Sequence, residues 1–437
     1  MKIKNLPADD NSCGWSSILP SHEPQRLEGS AEAEWVIVGA GFTGLAAARQ
    51  LAHHRPDDRI LLVDAQCVAD GASGKNSGFL IDLPHDLSAP DYIGDLDTAR
   101  KDMALNRAAI DSLRSIVKTE EIECHWRESG KIQGAVGAKG VNVLNAYRTG
   151  LDRLGAEYQM MDTAELKRKL GTDYYTQGLY TPGTVLVQPA ALARGLARTL
   201  PENVQLCEMT PVTQVDYGSP IQLHTPAGTI KARNLLLTNN AFAQEFGFFT
   251  GRLLPVFTYA GLTRQLTEAE QQRLGGTPYW GVIPADPFGS TVRRTPDQRI
   301  LVRNSFSFNP NGRSSEATTA WASKHIVQGF NARFPMLDGV EMEYTWGGAL
   351  CMSRNHAPYF GELRPNVYGA GCHNGIGVTK GTISGKLLAD YLANQDSELV
   401  RYMLSQPAPA SNPPRPFLDA GINATLWYNQ LRAGAER

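Results

Sequence analysis

Trp35-Val-Ile-Val-Gly39-Ala-Gly41-Phe-Thr-Gly44 is the stretch that decides the fold. Trp35 to Val38 are consecutive apolar residues, as in a strand buried on both faces of a parallel sheet. Gly39 allows a tight turn, Gly41 allows the backbone to approach a pyrophosphate, and Gly44 lets the next helix close on the strand. Free N–H groups at that helix start face the phosphates. A second apolar run, Arg59-Ile-Leu-Leu-Val63, ends in Asp64. Asp64 lies about twenty residues past the last glycine, where an acid binds a ribose with a free 2′-OH. A glycine-rich packing turn is the plainer alternative, but it would not need the second strand and the acid.

A second segment has the same shape. Val367-Tyr-Gly-Ala-Gly371-Cys-His-Asn-Gly375-Ile-Gly377-Val-Thr-Lys-Gly381 leads into a helical pattern ending at Leu392. Two helix N-termini in one chain can serve two negative regions of one extended cofactor, which favours FAD over NAD. Between the segments, Gly71-Ala-Ser73-Gly74-Lys75-Asn76-Ser77-Gly78 offers backbone N–H groups for an anion-binding nest.

These residues resemble the D-amino-acid oxidase/sarcosine oxidase superfamily of FAD enzymes. The loop at Gly71–Gly78 is similar to the GASGRNGG loop of gamma-glutamylputrescine oxidoreductases, with Lys75 where relatives commonly have Arg. Thr210-Pro211-Val212 resembles the strand whose valine backbone meets the adenine. Trp346-Gly-Gly-Ala-Leu-Cys351-Met resembles the segment before the final flavin-binding strand. The resemblance implies an α/β fold: a doubly wound, Rossmann-like FAD-binding domain with an inserted α+β substrate domain dominated by a β-sheet. The expected division is 1–95, 155–245 and 340–437 for FAD, and 96–154 and 246–339 for substrate. The cofactor set it implies is Gly39, Gly41, Phe42, Thr43, Gly44, Asp64, Ala65, Ser73, Gly74, Lys75, Asn76, Ser77, Val212, Cys351, Gly375, Ile376, Gly377, Val378 and Thr379.

Flavin amine oxidation needs orientation and exclusion of water more than acid–base machinery. Lys75, His373, Tyr259 and Trp346 are the candidates for catalytic positions, with Trp280 as a further aromatic wall. Each has a plainer reading, as a surface lysine, a structural histidine or core aromatics. Cys351 sits in Ala-Leu-Cys-Met, similar to the Ala-Val-Cys-Met of monomeric sarcosine oxidases, and that likeness implies a covalent flavin link. Read alone, it is a small buried thiol. Thr379 falls where those enzymes place a lysine for the substrate carboxylate, which turns the expectation from amino acids toward amines.

The implied activity is oxidation of an amine C–N bond, in a polyamine, a glutamylated polyamine or a related amine. Hydride passes to flavin N5 and the imine hydrolyses. Oxygen or another electron acceptor completes the cycle. Two alternatives stay open: a dehydrogenase serving a quinone or carrier, and a non-catalytic flavin-binding subunit. A net charge of −2 gives no electrostatic case for nucleic acid. The six cysteines are scattered without metal-ligand spacing, so no metal is expected. No apolar run is long enough to span a bilayer, and a cytoplasmic location is expected. Oligomeric state is not legible. Residues 1–32 read as an irregular surface loop, and the proline-rich 407–416 leads into a short amphipathic segment near Leu426.

Overall fold

The computed structural model describes residues 1–8, 12–86 and 88–437. Ala31–Val38 is the central strand of an eight-stranded sheet. It pairs in parallel with Ile60–Val63 on one side and Gly228–Leu237 on the other. Val204–Cys207 and Val367–Gly371 extend the parallel set outward. Ile60–Val63 is wholly buried, as a parallel strand covered on both faces must be. The helices Phe42–His54 and Gly377–Leu392 follow the two glycine-rich turns and pack on each other. A Cβ at Gly385 would meet the Thr43 carbonyl oxygen at 2.0 Å, so glycine is what permits that approach.

The second sheet also has eight strands, with Met342–Ser353, Leu253–Thr263 and Ile300–Phe308 at one end. Its far face packs on the helix Glu316–Arg333 in a core with Phe257, Tyr259, Trp280 and Phe330. Strands Gln159–Asp162, Gln177–Thr181 and Met342–Ser353 pair in this second sheet. The expected boundaries at 155 and 340 would group them with the first sheet. Gln177–Thr181 reaches this sheet through Lys131–Ala135, and Met342–Ser353 through Leu253–Thr263, and segment composition carries no trace of those pairings.

Two other local expectations differ from the structure. Thr210-Pro211-Val212 is loop, and the strand starts only at Gln214. The N-terminal segment is no mere surface loop. It forms the short helix Gly14–Ser17, and Trp15 is fully buried. Among the described residues no helix is long and apolar enough to cross a membrane.

Candidate functional site

A cavity of about 640 Å³ is lined from both sheets. At one end lies the first glycine turn. Gly39 has φ +108°, a conformation that favours glycine. A Cβ on Gly44 would stand 1.8 Å from the Gly39 carbonyl oxygen. The helix therefore closes on the strand only with glycine there. Asp64 accepts hydrogen bonds from the N–H groups of Ala40 (2.7 Å) and Gln66 (2.9 Å). Burial pushes its carboxyl up to about 6, and the neighbouring Glu208 and Asp70 add to the effect.

The loop around Lys75 is pinned from three directions. Trp15 donates to the Asn76 carbonyl (2.9 Å), Trp346 to the Lys75 carbonyl (3.1 Å), and Arg293 to the Ser77 carbonyl (2.9 Å). Asn76 locks the loop internally, donating to the Ser73 carbonyl and accepting from Gly78 N–H. Gly348 lets the strand lie against this loop, since a Cβ there would meet the Lys75 carbonyl at 2.9 Å.

The second glycine turn forms another wall. His373 is buried and its Nε2 bonds Thr43 Oγ1 at 2.9 Å. Burial pushes its imidazole down to about 4, with Lys380 contributing. It is therefore neutral at pH 7 and bridges the two glycine-rich segments. Gly375 and Gly377 face open space. Lys380, the lysine next to Thr379, is held by Asp102 at 3.0 Å and does not line the cavity.

Strand register sets the cavity face of the second sheet. Directly paired residues share a face. Trp346 pairs with Ala260, Ala260 with Arg303, Arg303 with Thr291. Arg303 lines the cavity, donates to Thr291 Oγ1 at 2.7 Å, and lies 5.4 Å from the Phe306 ring centre. Among the described residues no carboxylate pairs with it. Burial pushes its guanidinium down to about 10, so it stays charged at pH 7. His85 also lines the cavity and stacks on Tyr92 with ring centres 4.9 Å apart. Burial, then the cations Lys131, Lys380 and Arg303, push its imidazole down to about 3. On this wall the Arg303 cation and the neutral His85 imidazole both line the cavity.

Of the expected cofactor set, all but Gly44, Gly74 and Thr379 line the cavity. Gly44 and Gly74 shape it from behind. A Cβ at Gly74 would meet the Ala69 carbonyl oxygen at 2.0 Å. Thr379 is buried in the helix. Of the expected catalytic positions, Lys75 and His373 line the cavity, while Tyr259 and Trp346 do not. Tyr259 pairs one residue out of phase with Trp346 and so faces the far core, bonding Ser307 and Ser314. Trp346 faces the cavity side but is covered by the Lys75 loop. Trp280 stacks on Phe334 in the far core. Cys351 is buried at the cavity edge. It is out of phase with Gly348, and its thiol, beside Cys372, is pushed well up by burial. Sequence reasoning missed Arg303, His85 and Phe306. An isolated Arg or His on an apolar strand carries no motif.

The residues present fit FAD. Two open helix N-termini and a buried carboxylate meet in one cavity, whose wall leaves Asn239 Oδ1 and Nδ2 and His373 Nδ1 buried without partners. A family model described as FAD dependent oxidoreductase matches residues 34–391, and the chain belongs to that family. It is 26% identical over 371 residues to the gamma-glutamylputrescine oxidoreductase of Escherichia coli (strain K12), covering 84% of this chain and 85% of that protein. It is 28% identical over 396 residues to the probable oxidoreductase OrdL of Rhizobium meliloti (strain 1021), covering 85% and 86%. Glycine oxidase from Geobacillus kaustophilus shares the fold with a TM-score of 0.70 at 20% identity, over 84% of this chain and 96% of that one. L-amino acid deaminase from Proteus myxofaciens does so with a TM-score of 0.70 at 15% identity, over 91% and 96%. The protein is an FAD-dependent oxidoreductase.

Proposed function

We propose that this enzyme oxidises the C–N bond of an amine that also carries a carboxylate. The observation behind this reading is Arg303, a guanidinium on the cavity wall with a hydroxyl partner and, among the described residues, no carboxylate partner. A buried cation in that state is best completed by a ligand anion, and Arg matches carboxylate through paired N–H donors. The expectation drawn from Thr379 is thereby revised: the cation for a carboxylate lies on the second sheet. A γ-glutamyl derivative of a diamine, the compound class in the name of the Escherichia coli relative, carries both groups.

When bound, FAD supplies the two-electron acceptor for the hydride leaving the carbon next to nitrogen. Residues Gly39 to Gly44 and Asp64 would hold its pyrophosphate and ribose. The N-terminus of Gly377–Leu392 would face its electron-accepting ring and favour negative charge there. Arg303 anchors the carboxylate, which sets the distance of the amine from the loop at Lys75. His85, held neutral, offers a hydrogen-bonding ring nitrogen rather than a proton-accepting base on the cavity wall. Phe306, Phe288 and Tyr92 keep water from the reacting carbon. The imine leaves and hydrolyses.

The test is anaerobic mixing with matched amines, with and without a carboxylate, while following the flavin band. Acidic amines should bleach it at lower concentration than their uncharged analogues. Arg303→Met should keep the flavin spectrum and raise the half-saturating concentration by about thirtyfold or more, the loss of a charge-assisted pair. Equal bleaching by uncharged amines, or an unaffected Arg303→Met, contradicts the reading.

A further inference from the structure

We infer that the C-terminal helix Phe417–Ala433 belongs to the substrate site, through Gln430 acting as a positioning residue that holds the Phe306 ring over the Arg303 guanidinium. This rests on the reading of Arg303 as the carboxylate anchor.

The strand Ile300–Phe308 is paired on both edges only as far as Arg303. On one side its ladder with Thr291–Arg294 ends at the pair Thr291–Arg303. On the other side, pairing with Leu253–Thr263 continues to Phe308. Beyond Arg303 one edge of the strand therefore lacks a neighbour, and its backbone groups need partners.

A bulge lies in this half-paired stretch. Asn304 pairs with Tyr259 and Phe306 with Thr258, so Ser305 is skipped, with φ +61°. In a regular strand, residues three apart point to opposite faces. The extra residue brings Arg303 and Phe306 onto the same face, a change of aim that bulges commonly make beside ligand sites. The aromatic ring then lies over the guanidinium, 5.4 Å away. That ring covers one face of the cation and leaves its in-plane N–H edge for a ligand.

At the open edge the backbone of Phe306 is held by the side chain of Gln430, while Arg437 donates to Ser305 Oγ at 2.9 Å. Phe306 N–H donates to Gln430 Oε1 at 2.8 Å, and Gln430 Nε2 donates to the Phe306 carbonyl at 3.2 Å. A primary amide reproduces the donor and acceptor that a missing strand would have supplied. Gln430 is 7% exposed. Its Nε2 also donates to the Leu426 carbonyl, one turn back, and Leu426 lines the cavity. Tyr428, nearly opposite Gln430 on the helix, is 53% exposed, and the flanking Trp427 and Leu431 are exposed too. Gln430 is thus a principal link between this helix and the anchor for the substrate's acid.

The experiment titrates the FAD-loaded enzyme with hexanoate, a simple carboxylate, and with hexanamide as uncharged control, following the flavin spectrum. Gln430→Met keeps the side-chain length and removes both hydrogen bonds. It should weaken hexanoate about tenfold, leave hexanamide within twofold, and keep the FAD content. Phe306→Leu should give a similar loss. The double variant should be no weaker than either single one, because the two residues act as a unit. Gln430→Ala repeats the test should Gln430→Met retain too little FAD. Unchanged hexanoate affinity in Gln430→Met while Arg303→Met loses it overturns this inference alone, as do fully additive losses. Unchanged affinity in Arg303→Met, or no hexanoate binding by the unaltered enzyme, overturns the underlying reading.

Discussion

The cradle at the first glycine turn and the ligand face of the second sheet recognise their partners by opposite means. In the cradle, recognition uses backbone, and side chains are kept out. Gly39, Gly41 and Gly44 lie within one turn, and Asp64 closes the unit from the next strand. On the ligand face, recognition uses side chains. His85, the paired strands that carry Thr291, Arg303 and Phe306, and the helix that carries Gln430 meet through strand register, one bulge and one helix contact. A site read by backbone must mark its own sequence, because only glycine tolerates the close approach. A site read by side chains leaves its sequence nearly free, because geometry chooses among ordinary residues.

The sharpest way to break this comparison is at Gly44. A methyl group there would overlap the Gly39 carbonyl oxygen, so Gly44→Ala should strip the protein of FAD. The ratio of flavin to protein absorbance after gel filtration measures it. Stoichiometric FAD in that variant would show that the cradle tolerates side chains after all.

A smaller effect concerns the joint between the glycine segments. His373 has its imidazole pushed down to about 4 in the fold, against an ordinary value near 6.5. As pH falls, the unfolded chain takes up this proton before the folded one does. Stability is then fully present above about pH 6.5 and is lost as pH falls toward 4, by roughly 3 kcal/mol for a shift of this size. His373→Asn should flatten that part of the curve in urea unfolding measured from pH 4 to 7. Matching slopes for the two proteins would show that the histidine does not titrate as its burial demands. His85, also pushed down, keeps part of the slope in the variant.

The smallest effect is expected at Tyr259. Its ring lies on the far face and its hydroxyl bonds only within the protein. Tyr259→Phe should cost about 1 kcal/mol of stability and leave the rate of anaerobic flavin bleaching within about twofold. A tenfold slower rate would bring Tyr259 back to the chemistry and blur the division between the two faces.

How much was legible follows from this division. The parallel strands, the two glycine turns, the helix after each and the acid at Asp64 could be read because each is a short-range pattern with a physical cause. Trp346 and Tyr259 were drawn to the site by type, and a one-residue difference in phase sent them to different faces. Trp15 was hidden in a polar stretch, yet it pins the loop at Asn76. Strands Gln159–Asp162 and Gln177–Thr181 joined the second sheet through partners that no local pattern announces.

By itself, the sequence determined that this chain builds a doubly wound sheet with two helix N-termini facing one extended anionic cofactor. The physical reason is steric and local: turns, close helix contacts and exposed N–H groups require glycine at fixed spacing. Only the tertiary structure decided which side chains line the cavity. Strand phase changes with a single residue, and the bulge at Ser305 that brings Arg303 and Phe306 together exists only against a paired neighbour.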